Sequence, residues 1–148
     1  MKEGYVAIRP KTRKRLRLLA QQFKPSLLPS DIARGPLTKC FDWSVMQTAR
    51  NFPKYWYVEG LASDPDNPDV PILHAWLTDG EYAFDPTWAA ITQKGEHRPV
   101  PVTYWGIIMP FYPVQDFMKI TGYQCVLNNA WRDRASSDKV FARAKETL

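Results

Sequence analysis

The chain has few of the residues that build disulfide-rich or metal-stabilised folds. Among its 148 residues, only two cysteines occur, Cys40 and Cys125, and only two histidines, His74 and His97. Their spacing matches no zinc-finger pattern, so we predict no structural metal site and no cofactor. One disulfide would be unusual in a reducing compartment. The seven glycines are scattered, which excludes a phosphate-binding loop and a dinucleotide-binding fingerprint.

Long apolar runs are missing as well. No stretch approaches the roughly 20 apolar residues that span a bilayer, and the first residues lack the plan of a secretion signal. We therefore expect a cytoplasmic protein that makes no membrane contact. No internal repeat is visible. The length suits one domain rather than two, so we assign residues 1–148 to a single domain.

Proline and large aromatic residues are abundant instead. The thirteen prolines argue against an all-helical bundle, because each restricts its own φ angle and the residue before it. Six tryptophans, seven tyrosines and an apolar fraction of 45% supply enough surface for a buried core. The formal net charge of +5 gives only weak attraction to anionic surfaces.

A basic helix is predicted over residues 9–23. Its apolar residues recur at helical spacing and would share one face: Leu16, Leu19, Ala20 and Phe23. Its first turns carry a basic cluster, of which we single out four residues: Arg13, Lys14, Arg15 and Arg17. Cations at a helix start oppose the helix dipole. The basic cluster therefore either stays solvated or contacts an anionic partner, nucleic acid or an acidic protein.

A second helix is predicted over residues 39–51, after a connector rich in proline and serine. Thr38 would cap its start, and Asp42 in the first turn would interact favourably with the helix dipole. Pro53 would end it. Its buried stripe would consist of Phe41, Val45, Thr48 and Phe52.

Strands are predicted from residue 54 onward, where aromatic and β-branched residues become frequent. We place them at residues 54–61, 72–78, 81–85 and 103–109. Asp79-Gly80 is a strong signal for a two-residue hairpin turn. A short helix from Pro113 to Gly122 follows, and a marginal helix begins at Ser136. This order predicts an α+β domain in which the helix bearing Cys40 packs on a mostly antiparallel sheet.

The hairpin turn determines which side chains lie opposite each other. With Asp79-Gly80 as the turn, His74 faces Asp85 and Trp76 faces Ala83. Directly opposed side chains share one face, with Cβ atoms about 4.5–5.5 Å apart. We therefore predict that the Asp85 carboxylate bonds to the His74 ring and fixes its tautomer.

Cys40 is the candidate nucleophile. At a helix start it would lie among backbone N–H groups that have no helical partner, and the helix dipole favours a thiolate there. The same N–H groups would stabilise an oxyanion. Singly, a cysteine at a helix start is usually a small buried hydrophobe, and a His–Asp pair is often structural. Together, Cys40, His74 and Asp85 predict a catalytic triad.

At these residues the sequence resembles the transglutaminase-like superfamily, whose core is a rearranged papain fold. The matching elements are Thr38-Lys39-Cys40-Phe41-Asp42-Trp43, Tyr57-Val58-Glu59-Gly60, His74-Ala75-Trp76 and Phe84-Asp85-Pro86-Thr87-Trp88. They cover about a third of the chain. The resemblance implies a papain-like domain that acts on amide bonds of a protein or peptide, as a protease, deamidase or transglutaminase. Cys40 would attack the carbonyl, His74 would be base and then acid, and Asp85 would orient His74.

Four further residues are candidates for the substrate-binding cleft: Trp76, Trp88, Trp105 and Gln22. Trp76 ranks first because it shares a face with His74 in the predicted hairpin. Core packing competes for the other aromatic residues, including Tyr104. The resemblance also suggests that Gln22, or Gln21 beside it, supplies a second oxyanion donor.

Other polar residues have weaker patterns. His97 is expected to be exposed in a loop, and Cys125 to be a packing residue. Glu59 and Asp116 are acids without the partner that a glycosidase would need. The alternative to an enzyme is a non-catalytic binding module on a triad-like fold, which contacts nucleic acid or an acidic protein through the basic cluster.

Overall fold

The computed structural model describes residues 9–64, 67–88, 103–122, 125–129 and 140–141. The helices are α1 (Pro10–Leu19), α2 (Cys40–Arg50), α3 (Phe111–Thr121) and the one-turn α4 (Val126–Asn129). The strands are β1 (Gln21–Pro25), β2 (Trp56–Asp64), β3 (Asn67–Thr78), β4 (Tyr82–Phe84) and β5 (Thr103–Met109). Within this part of the chain, no helix has both the length and the apolar character to span a bilayer.

The strands close into a small barrel in the order β1-β4-β3-β2-β5. β1 runs parallel to β4, and the other pairs are antiparallel. The α+β class and the mostly antiparallel sheet are therefore confirmed. The closure itself was not predicted, because it depends on β1, which we had assigned to a helix.

The predicted helix over residues 9–23 is wrong in its last turn. Backbone torsions at Ala20 (φ −79°, ψ 151°) are extended and end α1 at Leu19. Phe23 then pairs with Tyr104 of β5 and is buried inside the barrel. The barrel gives Phe23 a buried position and gives its backbone a strand partner. Tertiary context of this kind overrides the helical spacing that the local sequence shows.

α2 begins without the predicted Thr38 cap. Leu37–Lys39 form one turn of 3-10 helix, and Lys39 occupies the N-cap position with no side-chain hydrogen bond. Of the predicted stripe, Thr48 is buried and Phe41 and Val45 pack against buried apolar residues, whereas Phe52 is exposed. The buried face of α2 is largely polar and consists of Cys40, Ser44, Gln47 and Thr48.

Hydrogen bonds explain why a polar helix face is buried. The Ser44 hydroxyl donates to the carbonyl of Ala75 in β3 at 3.3 Å. Gln47 Oε1 accepts the N–H of Ala33 in the connector at 2.9 Å. A hydrogen bond to a buried polar group offsets the free energy lost when that group leaves water. α2 thus packs on the sheet, as predicted, and Ser44 and Gln47 add polar contacts that were not predicted.

The β3–β4 hairpin has a wider turn than predicted. Thr78 pairs with Ala83 rather than with Glu81, so four residues, 79–82, separate the innermost paired positions. Asp79 Oδ1 accepts the N–H groups of Glu81 and Tyr82 at 3.0 Å each, which favours the longer turn. Relative to the predicted pairing the register moves by two residues, so each side chain keeps its predicted face.

The later elements are close to their predicted places. β5 has the predicted bounds, and Gly122 ends α3 with a positive φ of 71°. α3 begins at Phe111, two residues earlier than predicted. The helix predicted from Ser136 lies outside the described residues except for 140–141, and His97 lies outside them too.

Alternation along the strands separates two apolar clusters. The barrel interior contains Phe23, Val58, Ala62, Trp76, Ala83, Trp88, Tyr104 and Ile108. The outer face packs against the helices and includes Leu16, Tyr57, Leu73, Ala75, Ile107, Phe117 and Val126. His74 alternates with Leu73 and Ala75 along β3, so it lies on the interior face with Trp76.

Candidate active site

The predicted contact between His74 and Asp85 is present. His74 Nε2 lies 2.7 Å from Asp85 Oδ2, and both side chains are buried. Asp85 follows the last residue of β4 and is therefore not a direct strand partner of His74. The contact forms nevertheless, because the two-residue change of register leaves both side chains on the interior face.

The Asp85 carboxylate is held by donors from two parts of the chain. Oδ1 accepts the N–H groups of Thr87 at 3.2 Å and Trp88 at 3.0 Å, with the Thr87 hydroxyl at 3.4 Å. Oδ2 accepts the hydroxyl of Tyr104 at 2.8 Å in addition to His74. These bonds satisfy a buried carboxylate and fix its orientation toward the imidazole.

Cys40 lies close to the His74 ring. Its charge and its side chain both raise the pKa of His74, which requires the sulfur to be near the imidazole. Since Nε2 faces Asp85, Nδ1 is the ring nitrogen left for the sulfur. α2 and β3 thus bring Cys40 to His74, while the segment after β4 brings Asp85 to the opposite nitrogen.

The charges around His74 favour its protonated form. Burial opposes the imidazolium, but the charges of Asp85 and Cys40 and the hydrogen bonds with both raise the pKa of His74 to about 10. For Asp85, burial favours the neutral acid, yet the His74 charge and the hydrogen bonds lower the pKa of its carboxyl. An imidazolium–carboxylate pair is therefore the favoured state at neutral pH.

The backbone near Cys40 differs from the prediction in one respect. The Cys40 N–H donates to the carbonyl of Leu37 in the 3-10 turn, so it is not free to bind an oxyanion. The N-cap residue Lys39 supplies no side-chain bond to the next N–H groups. Any backbone oxyanion donors on α2 would therefore come from the residues after Cys40.

Aromatic rings surround the imidazole. The Trp88 ring meets it nearly at a right angle with centroids 5.4 Å apart, and the Trp76 centroid lies at 6.2 Å. Trp76 in turn packs on Tyr104 at 4.9 Å. Trp76 and Trp88 are buried, so in this structure they form the wall behind His74 rather than an open surface.

The other two cleft candidates lie on β5 and β1. Trp105 and Gln22 are register partners on β5 and β1, and Trp105 packs against the cluster on the outer face of the sheet. His74 lies on the interior face. Gln21 donates from Nε2 to the carbonyl of Gly80 at 3.2 Å, at the far end of β3 from His74.

Sequence analysis did not predict that Tyr104 and Thr87 would hydrogen-bond to Asp85. Thr87 had a readable signal, since an aspartate whose side chain accepts the N–H groups two and three residues later is a common turn motif. Tyr104 had none, because nothing local indicates that β5 passes Asp85. The Gly35 N–H also donates to the carbonyl of Pro86 at 3.1 Å, which ties the connector before α2 to the Asp85 segment.

Glu59 is a second buried carboxylate, on the outer face of β2. Oε2 accepts the Tyr57 hydroxyl at 2.7 Å and the Val126 N–H at 3.0 Å. Oε1 accepts the Leu127 N–H at 2.7 Å and the Cys125 thiol at 3.4 Å. Burial raises the pKa of Glu59, although these bonds oppose the shift. Glu59 thus holds the start of α4 against the barrel.

Both cysteines are free thiols, and Cys125 is a buried packing residue as predicted. Among the described residues, no three His, Cys, Asp or Glu side chains form a group that could hold a metal ion. Comparison of the chain with protein families, curated proteins and solved structures found no match. The case for a function therefore depends on the geometry of this site.

Proposed function

We propose that the protein is a cysteine-dependent hydrolase or acyltransferase that acts on amide bonds of a protein or peptide. The observation that carries the proposal is the buried His74–Asp85 hydrogen bond with Cys40 close enough to the imidazole to raise the pKa of His74. The resemblance to the transglutaminase-like superfamily supports it through the order of the three residues, and we infer a papain-like core on the same grounds. Free thiols at both cysteines are consistent with the cytoplasm as its location.

In the acylation step, the Cys40 sulfur is the nucleophile and the protonated His74 ring is the acid. The Cys40 thiolate attacks the carbonyl carbon, and the C–N bond breaks after a tetrahedral intermediate. The proton on His74 Nδ1 passes to the leaving nitrogen, so the products are a thioester on Cys40 and a free amine. Asp85 keeps Nε2 in place and stabilises the positive ring throughout.

Deacylation follows from a change in the same charges. Acylation removes the thiolate charge and the thiol hydrogen bond, two of the causes that raise the pKa of His74. The neutral imidazole can then accept a proton from water, which attacks the thioester and releases the acid. We infer hydrolysis rather than transfer to an amine, because a compact domain has little surface to exclude water.

The direction of substrate approach follows from exposure. Cys40 retains 7% of its surface, against 1% for His74 and 2% for Asp85. A carbonyl would therefore reach the sulfur first, from the side of α2, with the imidazole and the carboxylate behind it. Trp76 and Trp88 then act as packing for His74 rather than as direct substrate contacts.

Thiol labelling tests the proposal with an internal control, because it compares the two cysteines of one chain. Iodoacetamide at pH 6.5, followed by peptide mass spectrometry, should modify Cys40 at least about tenfold faster than Cys125. In His74→Ala the Cys40 rate should fall to that of Cys125, while circular dichroism stays unchanged. Equal Cys40 rates in the wild type and in His74→Ala would contradict the proposal.

The reaction product distinguishes a protease, a deamidase and a transglutaminase. Cleavage, deamidation and crosslinking of a protein substrate each give a distinct mass change. We expect cleavage or deamidation products from a mixture of peptides, and none of them from Cys40→Ser.

Exposure of the basic cluster favours the alternative function, a non-catalytic binding module. Arg13, Lys14 and Arg17 are exposed on α1, whereas Arg15 packs over the Phe141 ring at 4.0 Å. Replacing the three exposed residues by glutamine should weaken nucleic-acid binding and reduce its salt slope by up to about 2.7 if all three contact phosphates. Lys11→Gln is a control for one exposed charge. An unchanged salt slope would show that the basic cluster is solvated surface and does not bind nucleic acid.

A further inference from the structure

A second concavity lies where α2 ends. It encloses a cavity of about 470 Å³ between the residues after α2, the start of β2, the end of β5 and the start of α3. Its wall includes Phe52, Trp56, Met109, Phe111, Tyr112 and Asp116. Cavities of this size take a side chain or a small molecule.

The rim of this cavity is an exposed aromatic cluster. Phe52, Trp56 and Tyr112 keep 45%, 47% and 62% of their surface exposed. The Phe52 ring lies 5.2 Å from that of Phe111 and 5.4 Å from that of Tyr112, between centroids. Large aromatic rings gathered on a surface mark a place that a ligand covers.

The charge of the cavity has the opposite sign to that of the chain. Among the described lining residues, Asp116 is the one acidic side chain, and none is basic. Lys54 lies beside Tyr55 in the wall, but its ammonium is paired with Asp31. The start of α3 adds a partial positive charge of about half a unit, less than the full charge of Asp116. Aromatic faces next to a carboxylate attract a cation on an apolar stem.

The distance from Cys40 relates this cavity to the active site. α2 has 11 residues and separates Cys40 at its first residue from Phe52 beyond its last, a span of about 16 Å. An extended peptide covers that distance in about five residues. One substrate chain could therefore occupy both places.

We propose that this cavity binds a lysine or arginine side chain of the substrate, about five residues from the amide bond that reaches Cys40. The aromatic rings would contact the aliphatic stem, and Asp116 would pair with the cationic end. This inference rests on the proposed function for its substrate, but the binding of a cation by the cavity can be measured without catalysis.

An NMR titration that follows the Trp56 indole N–H tests the binding. N-acetyl-lysine methylamide should bind about fivefold more tightly than the norleucine analogue, which has the same stem without the ammonium. Asp116→Asn should remove the difference, whereas Asp69→Asn, at an exposed site on β3, should preserve it. Tyr112→Leu keeps an apolar wall and should weaken the lysine compound alone.

Equal affinity for the two compounds, or an unchanged preference in Asp116→Asn, would overturn the proposal. So would sedimentation showing that the cavity is filled by α1 of a second copy. The proposed enzyme function is tested by a different experiment, the labelling of Cys40, so the two proposals can fail independently. If both hold, moving a lysine from the fifth residue to the second should raise KM several-fold in the wild type and leave it unchanged in Asp116→Asn.

Discussion

Tyr104 donates its hydroxyl to the same oxygen of Asp85 that His74 contacts. The two distances to Oδ2 are 2.8 Å and 2.7 Å, and the Tyr104 side chain is buried. Tyr104 lies on β5, next to neither β3 nor β4 around the barrel. The barrel interior therefore supplies Asp85 with a donor that keeps the carboxylate ionised and stationary. We regard Tyr104 as a positioning residue.

Removing this donor should weaken both the fold and the site. In Tyr104→Phe a buried carboxylate oxygen loses one partner, and we expect the free energy of unfolding in urea to fall by about 1.5–3 kcal/mol. The pKa of Asp85 should rise, so on acidification the labelling of Cys40 should decline at a higher pH than in the wild type. Tyr82→Phe, at a half-exposed ring, should change neither result. Similar behaviour of the two variants would contradict this role.

Protonation of His74 should make stability depend on pH. The pKa of His74 is about 10 in the folded protein, against about 6.5 for an unperturbed histidine. Below pH 6.5 both states hold the proton, and the stabilisation is fully present. Above it the unfolded chain loses its proton first. The free energy of unfolding should therefore fall by up to about 1.4 kcal/mol per pH unit until about pH 10.

Urea denaturation between pH 6 and 9 measures this slope. His74→Gln should remove it, because no proton is then released at this position. Cys40→Ser should show it most clearly, because a Cys40 thiolate in the wild type holds one proton fewer than the unfolded thiol and so offsets the proton that His74 retains. A Cys40→Ser slope no steeper than that of His74→Gln would show that His74 is neutral.

Gly60 is required by a close approach between strands. It pairs with His74 on β3 and with Gly106 on β5, and a Cβ there would lie 2.2 Å from the Trp105 carbonyl oxygen. Gly60→Ala should lower the free energy of unfolding by about 3 kcal/mol or more, because backbone atoms must move. Gly122→Ala, strained only by its positive φ and with nothing within 4 Å, should cost about 1 kcal/mol. Equal losses in the two variants would refute the crowding argument.

Glu59 should hold α4 on the barrel. In Glu59→Gln an amide nitrogen replaces one carboxylate oxygen and meets donors on either side, so we expect a loss of about 2–4 kcal/mol. Hydrogen exchange should show reduced protection of the Val126 and Leu127 amides. Glu81→Gln, which removes a surface ion pair with Lys24, should have little effect. Unchanged protection in Glu59→Gln would argue against this role.

The His74–Asp85 contact was predictable because it tolerates error in the turn. Side chains alternate faces along a strand, so a register wrong by two residues still leaves both on one face. β5 and the end of α3 were predictable for a similar reason, since β-branched and aromatic residues and a terminal glycine act locally. The helix prediction over residues 9–23 is wrong at Phe23, because this residue pairs with β5, a strand far away in the sequence.

Local sequence patterns were enough to predict the α+β class, the strands at 72–78 and 103–109, and the face that His74 and Asp85 share, because these depend on neighbours within a few residues. Four features emerged from the folded structure alone: β1 closes a barrel, Tyr104 donates to Asp85, Glu59 holds α4, and α2 buries a polar face. Each of these features joins residues that are far apart in the chain, and the conformational preferences of a short segment do not depend on such contacts.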